Sequence, residues 1–313
     1  MKSPSNPNKP QGGGSRMDNR AFRFAISFSG LLLPFINRTN GTLVSGGRKR
    51  SYLLYVPESY DPATPTPLVI SLHGFAEWPA HQMQISKWND LADQHGFIVV
   101  YPCGTQVPLR WHTYPMPDSD MDTEDDVNFI QDLIEHLESE YNVDPARVYV
   151  NGLSNGGGMA FLLGCMLPER IAAVGLVAGF YPFSWEEYHP TRPMPTMVFH
   201  GTDDPIVAYM GSSRVSTGIT TPSIPGWVAT LAYYNGCDEI PIDLPTVGAV
   251  RGIQFKDKTG SGDVVFYSIA GGGHSWPGGG SLPKFIAGTT NRDINATELM
   301  WDFFREHPLP VNR

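Results

Sequence analysis

The chain has 313 residues, 41% hydrophobic and 17% charged, which suffices to bury the core of one α/β catalytic domain. A formal net charge of −9, with no Lys/Arg run beyond Arg48 to Arg50, speaks against nucleic acid or an anionic membrane as the main partner and leaves a neutral or small ligand. Cys103, Cys165 and Cys237 are too few and too scattered for a zinc module and permit at most one disulfide within the chain.

Residues 1–20 are rich in Pro, Gly, Ser and Asn and cannot bury enough apolar surface to offset ordering entropy, so no fixed structure is expected there. Arg20 and Arg23 then precede the apolar run Phe24 to Ile36, which is too short, and too broken by Pro34, to span a bilayer. Its basic-then-apolar order resembles a signal segment and points to export; a cytoplasmic protein with this stretch packed on its domain is the alternative. Residues 1–40 are therefore set apart from a catalytic domain at 41–313. Within it, Ser51 to Pro57 alternates as an amphipathic strand, and Pro67 to His73 is an apolar run suited to a strand covered on both faces. Ile85, Trp88, Leu91 and Ala92 recur at helical spacing and predict one helix ending at Gly96, before the strand Phe97 to Tyr101. Val127, Ile130, Leu133, Ile134, Leu137 and Tyr141 stripe a second helix, which leads through Asp144-Pro145 into the strand Arg147 to Asn151.

A helix from about Asn155 to Leu167 follows, then strands Ile171 to Ala178 and Thr196 to His200, and a helix around Trp227 to Tyr234. The strand Val264 to Ile269 precedes a glycine-rich loop, and the last helix begins at Asn295, where Glu298 three residues on suggests a capping box. Such alternation implies a mostly parallel sheet with helices on both faces. The stretches Thr105 to Asp118 and Phe180 to Pro195 follow strand ends, where sites form in sheets of this kind.

Gly152-Leu153-Ser154-Asn155-Gly156 matches G-x-S-x-G, in which small flanking residues let a strand turn sharply into a helix with the serine held in a strained conformation. The pattern is weak alone in a chain with 33 glycines; the strand before it and the helix after it supply the required context. A serine hydroxyl is a poor nucleophile at neutral pH, so it needs an imidazole in reach and a carboxylate to set that imidazole's tautomer. In the chain order Ser, Asp, His, the loop His200-Gly201-Thr202-Asp203-Asp204-Pro205 offers Asp204, with Asp203 as its adjacent competitor. His274, in Gly271-Gly272-Gly273-His274-Ser275-Trp276-Pro277, is the best base, on a loop expected to be flexible enough to reach over the sheet end. The oxyanion hole should use the backbone N–H of Asn155 and one from the loop after His73-Gly74, with Phe75 as second donor and His73 as a structural support. Trp78, Trp111 and Trp276 are candidates to line the cleft. Neither H-E-x-x-H nor a nucleotide-binding G-x-G-x-x-G after a strand is present, so no metal and no organic cofactor is expected.

Several segments occur in order: Arg48 to Pro57 (RKRSYLLYVP), Leu72 to Gly74 (LHG), Trp88 to Gly104 (WNDLADQHGFIVVYPCG), Asp126 to Phe129 (DVNF) and Val143 to Gly158 (VDPARVYVNGLSNGGG). His200 to Val207 (HGTDDPIV), Asn235 to Cys237 (NGC) and Gly271 to Gly278 (GGGHSWPG) continue them. Together they resemble the polyhydroxybutyrate depolymerase-like and feruloyl-esterase-like α/β-hydrolases over residues 41–306. The resemblance implies the α/β-hydrolase fold and hydrolysis of carboxylic esters, with a small-molecule or oligomeric ester as the partner. It aligns Ser154, Asp204 and His274 with the family's triad and favours Asp204 over Asp203 through the G-x-x-D-x-x-V pattern. Two departures stand out. Arg251 to Ile269 holds no cysteine to pair with Cys237, which is then a free thiol, and Phe75 to Pro79 lacks the small Cys/Gly residues common in feruloyl esterases. A thioesterase or lactone hydrolase, a serine peptidase of the same fold, and a non-catalytic binding protein are the rival readings.

Overall fold

In a computed structural model that describes residues 38–114, 119–214, 219–280 and 282–310, the segment Thr66–Leu72 forms a strand (β3) buried at every position. The apolar run Phe24 to Ile36 and the Pro/Gly-rich residues before it lie outside the described residues. Around β3 are β1 (Gly41–Ser45), β2 (Arg48–Tyr55), β4 (Ile98–Pro102), β5 (Val143–Leu153), β6 (Ala173–Val177), β7 (Thr196–Gly201), β10 (Ile242–Asp243), β11 (Val250–Phe255) and β12 (Val264–Ile269). They form one sheet in the order β1-β2-β4-β3-β5-β6-β7-β12-β11-β10. A small hairpin, β8 (Ser212–Arg214) with β9 (Ile219–Thr221), stands apart. The six strands from β4 to β12 run parallel, and antiparallel strands close both edges. This is the α/β-hydrolase architecture.

Alternation along the central strands divides the core in two. Leu68, Ile70 and Leu72 join one buried cluster with Phe129, Ile130 and Leu133 of the helix α3 (Thr123–Glu140), while Val69 joins the other with Trp88 and Phe304. Period-two alternation requires such a split when both faces of a strand are covered. On the second face, Phe304 of α7 (Ala296–Glu306) lies parallel to Tyr149 with ring centroids 4.9 Å apart. The first face is also covered by α4 (Asn155–Met166), all but one of whose residues are buried, and by α5 (Ile224–Tyr234).

The helix expected through Ile85 and Leu91 is instead two, α1 (Pro79–Ser86) and α2 (Trp88–His95), separated by Lys87 at φ +57°. The carbonyls that would carry one helix through are drawn away: Ile85 O accepts Gly280 N–H at 2.9 Å and Ser86 O accepts the Thr297 hydroxyl. A short helix α6 (Lys284–Ala287) completes the set. At α7, Asn295 accepts from Thr297 N–H at 3.1 Å, as a cap should. The reciprocal capping box lies elsewhere, at α3 between Asp122 and Asp125. The edge strand β1, the hairpin β8–β9 and the strands β10 and β11 were not expected. The three cysteines are free thiols, with Cys237 half-buried and its sulfur 3.3 Å from Gly262 O. Among the described residues no helix is long and apolar enough to cross a membrane.

One buried polar cluster ties the first core face together. Arg50 on β2 donates to Asp126 Oδ1 at 2.7 Å, with the two side chains 3% and 0% exposed. The guanidinium also lies 3.9 Å from the centre of the Phe129 ring. Asp126 Oδ2 accepts from the backbone N–H of His112 at 2.8 Å and from its Nδ1 at 2.9 Å. Burial alone would raise the Asp126 carboxyl, but the His112 and Arg50 contacts outweigh it and hold the group below its ordinary value. Removing one partner would strand the other as an uncompensated buried charge. Asp126→Ala should therefore lower the unfolding free energy by about 3–5 kcal/mol, measurable by urea denaturation, whereas loss of the exposed Arg251–Asp243 pair should leave the urea midpoint unchanged.

Candidate active site

The strand order reverses between β3 and β5, because β4 lies on one side of β3 and β6 on the far side of β5. A crevice opens at the carboxyl ends of such a strand pair. The register Leu72↔Gly152 places the loop His73-Gly74-Phe75 beside the turn that carries Ser154. Ser154 itself has φ +57° and ψ −118°, a conformation L-residues rarely adopt. It is held there by backbone bonds on both sides: its N–H donates to Val177 O at 2.9 Å, and its carbonyl accepts from Gly158 at 3.0 Å and Phe180 at 3.1 Å. The serine occupies the N-cap position of α4, yet its hydroxyl makes no capping bond.

The motif glycines are required by close approach. A Cβ on Gly152 would lie 2.3 Å from Gly156 O, and one on Gly156 would lie 2.4 Å from Leu72 O. Both separations are below van der Waals contact, so the helix can start this close to β3 only without side chains at these two positions.

Asp204, three residues beyond β7, is 7% exposed and its side chain is fully engaged. Oδ1 accepts from the N–H groups of Ile206 and Val207, both at 2.8 Å. Oδ2 lies 2.7 Å from His274 Nδ1 and 3.4 Å from His200 Nε2. Burial would raise this carboxyl; the charge and hydrogen bond of His274, with His200 and the Val207 N–H, outweigh it and hold it below its ordinary value. Since a carboxylate only accepts, His274 Nδ1 must carry the proton, which leaves Nε2 with the lone pair of a base. Asp203 instead is exposed and accepts from the Thr202 hydroxyl. His200 donates from Nε2 to Val207 O at 2.9 Å, and burial keeps it below its ordinary imidazole value despite the nearby Asp204.

The loop bearing His274 is tightly fixed, contrary to the flexibility expected from its glycines. His274 N–H donates to Ala287 O at 2.6 Å, Gly273 N–H to Thr289 O at 2.8 Å, and Asp203 N–H to Gly272 O at 3.0 Å. A Cβ on Gly273 would meet Ala287 O at 2.0 Å, so this glycine serves close packing against α6.

Asn155 is the first residue of α4, where a helix leaves the N–H without an i−4 carbonyl. Its side chain, which the sequence did not single out, pairs with the loop after β4: Oδ1 accepts from Trp111 N–H at 2.8 Å and Nδ2 donates to Trp111 O at 3.0 Å. His73 Nε2 accepts from Gly104 N–H at 2.9 Å, so Nδ1 is the protonated nitrogen and donates to Gly74 O at 2.8 Å. This is the supporting role expected of it, with burial depressing its basicity. The turn after Gly74 contains Ala76 at φ +61°, whose N–H donates to Leu109 O at 2.8 Å.

Two of the three tryptophans proposed for the cleft are corrected. Trp111 and Trp276 are 0% and 1% exposed, and their indole N–H groups donate to His73 O at 3.0 Å and Thr297 Oγ1 at 2.9 Å. They are framework residues, since a buried indole must satisfy its N–H. Trp78 is half-buried at the N-cap of α1, four residues from Gly74. Among the described residues no group of His, Cys, Asp and Glu is arranged to hold a metal ion.

A family model described as esterase PHB depolymerase matches residues 50–209. The chain is 30% identical to the putative esterase NocK of Nocardia uniformis subsp. tsuyamanensis over 281 residues, 83% of this chain and 80% of that one. It is 28% identical to feruloyl esterase B of Piromyces equi over 83% of its own length, but spans only 46% of that relative. Among solved structures, the acetyl xylan esterase of Aspergillus awamori superposes with a TM-score of 0.54 at 18% identity, covering 72% of this chain and 89% of that one, a likeness of fold.

Asp204→Asn should lower kcat/KM for p-nitrophenyl butyrate by about 10³–10⁴-fold through loss of the correct imidazole tautomer, while Asp203→Asn should stay within about twofold. Because the native Asp204 value is depressed, the stability its ionised form contributes is present above pH 3.8 and lost as pH falls through the lower native value. The stability difference between wild type and Asp204→Asn should thus shrink as pH falls below about 4, as urea titrations at a series of pH values would show.

Proposed function

The chain belongs to the PHB depolymerase family of esterases and is a carboxylic-ester hydrolase, and on that premise we propose that Ser154, His274 and Asp204 form its catalytic triad. The observation that carries this reading is the buried Asp204–His274 hydrogen bond, on loops at the same sheet end as a serine held in a strained strand-to-helix turn. His274 Nε2 takes the Ser154 proton as Oγ attacks the ester carbonyl, and the alcohol leaves with that proton. A water then reacts in the same way, with His274 as base, and releases the acid. The N–H groups of Asn155 and Phe75 stabilise the oxyanion, a contribution of about 3–4 kcal/mol per donor in comparable sites.

For substrates, this reading takes short-chain acetyl, hydroxyalkanoyl or feruloyl esters of soluble or oligomeric alcohols. The relatives that are feruloyl and acetyl xylan esterases support the class, and the half-buried Trp78, four residues from Gly74, is the side chain this reading assigns to an acyl or aryl group. The basic-then-apolar order of Arg20 to Ile36 supports export as the location.

The test is hydrolysis of a p-nitrophenyl ester series from acetyl to octanoyl by purified wild type and Ser154→Ala. The variant should lose on the order of 10³-fold or more in kcat on every ester, and the chain-length optimum of the wild type measures the acyl pocket. Equal activity in the two proteins would overturn the triad and promote a non-catalytic role for this crevice.

A further inference from the structure

Glu77 lies three residues beyond Gly74, and its contacts are unlike those of a surface carboxylate. Its Oε2 accepts from Gly74 N–H at 3.0 Å, while its own backbone N–H donates to Gly74 O at 3.2 Å. The turn Gly74-Phe75-Ala76-Glu77 is thus closed twice, once by backbone and once by side chain. Oε1 lies 3.5 Å from His81 Nδ1 one turn along α1, with the two side chains only 12% and 20% exposed. A Cβ on Gly74 would lie 3.0 Å from Glu77 Oε2 and 3.5 Å from Leu153 O, so the carboxylate closes the turn right beside the backbone that leads into Ser154.

We propose that Glu77 is a positioning residue of the oxyanion hole, its side-chain oxygen fixing the turn that presents the Phe75 N–H, with His81 3.5 Å from the other oxygen. The proposal rests on the reading of Ser154 as nucleophile and of Phe75 as oxyanion donor. The titratable groups facing Glu77 are His81 on α1 and His73 at the end of β3. Burial alone would raise the Glu77 carboxyl, but His81, the Gly74 N–H and His73 outweigh it and keep it below its ordinary value. For His81 burial is likewise outweighed, by Glu77, and the imidazole rises. The strained Ala76 at φ +61° needs such a restraint, because a non-glycine residue persists in that region only where its surroundings over-determine it. An N–H aimed at the oxyanion acts in the transition state alone, so a small displacement of the turn reduces kcat and leaves substrate binding unchanged.

The experiment counts reactive serines with a fluorophosphonate and then measures p-nitrophenyl butyrate hydrolysis by the full chain and by Glu77→Ala, Glu77→Gln and Ser154→Ala. Per titrated site, Glu77→Ala is expected to lower kcat by about 10- to 100-fold with KM within about twofold. Glu77→Gln, whose amide oxygen still accepts from Gly74 N–H, should recover most of that loss, which a general loss of packing would not predict. Misfolding reduces the number of titrated sites and leaves kcat per site untouched; Glu77→Met, of similar length without an acceptor, repeats the comparison if Glu77→Ala does not accumulate. Unchanged kcat per site in both acceptor-free variants, or a change confined to KM, overturns the proposal. Hydrolysis or labelling that persists in Ser154→Ala overturns the nucleophile assignment instead, independently of the Glu77 variants.

Discussion

The pairing of β3 with β5 is the constraint on which the rest of this site depends. These adjacent parallel strands carry the chain in opposite directions across the sheet, so the loop leaving each one has no crossover above it. Their register, with Leu72 against Gly152, brings the Gly74 turn and the Ser154 turn into contact. A slip of one residue would turn every side chain of β3 to the opposite face and move Gly74 away from Leu153. The burial of both faces forbids that slip, since Leu68, Ile70 and Leu72 fill one core and Val69 the other. Packing of apolar side chains along β3 thereby sets where the Gly74 and Ser154 turns meet.

Polar groups inside this frame are assigned by what their neighbours can accept. Asp204 receives two backbone N–H bonds on one oxygen and the His274 ring N–H on the other, with His200 Nε2 3.4 Å from the second oxygen. A carboxylate so supplied stays ionised although it is buried, and it compels His274 to hold its proton on Nδ1. His73 and His200 are buried at the ends of neighbouring parts of the sheet, and burial depresses both. Each donates one N–H to a backbone carbonyl. His274, bonded through Nδ1 to Asp204, keeps Nε2 as an acceptor and so is suited to carry a proton in turnover.

How much of this was legible in the sequence follows from the range of the interactions concerned. The central strands and the striped helix α3 are written in apolar periodicity, and both emerge close to their expected limits. G-x-S-x-G is legible because local backbone geometry excludes a Cβ at Gly152 and Gly156. The break at Lys87 was not, because it is caused by Gly280 and Thr297, about two hundred residues away in the chain, taking the carbonyls of Ile85 and Ser86. Trp111 and Trp276 were misplaced for a related reason: an indole reads the same in a wall as in a framework until its N–H partner is known. Glu77 carried no signal beyond its departure from the small residues common at that loop, since the Gly74 N–H that binds its carboxylate is a backbone group.

The segment between Thr105 and Thr113 shows how a distant ion pair comes to bear on the crevice. Leu109 O holds the Ala76 N–H on one side, while the Trp111 peptide holds the Asn155 side chain on the other. One piece of chain therefore braces both loops from which the oxyanion donors are proposed to come. The Trp111 indole adds a third bond, to His73 O, so this brace also touches the end of β3. Its own position is fixed one residue later, where His112 gives both its backbone N–H and its ring to Asp126, which Arg50 neutralises. Replacement of such a buried pair by apolar residues is often neutral for stability. In this chain it would release His112 from α3, and with it the anchor of the segment that carries Leu109 and Trp111.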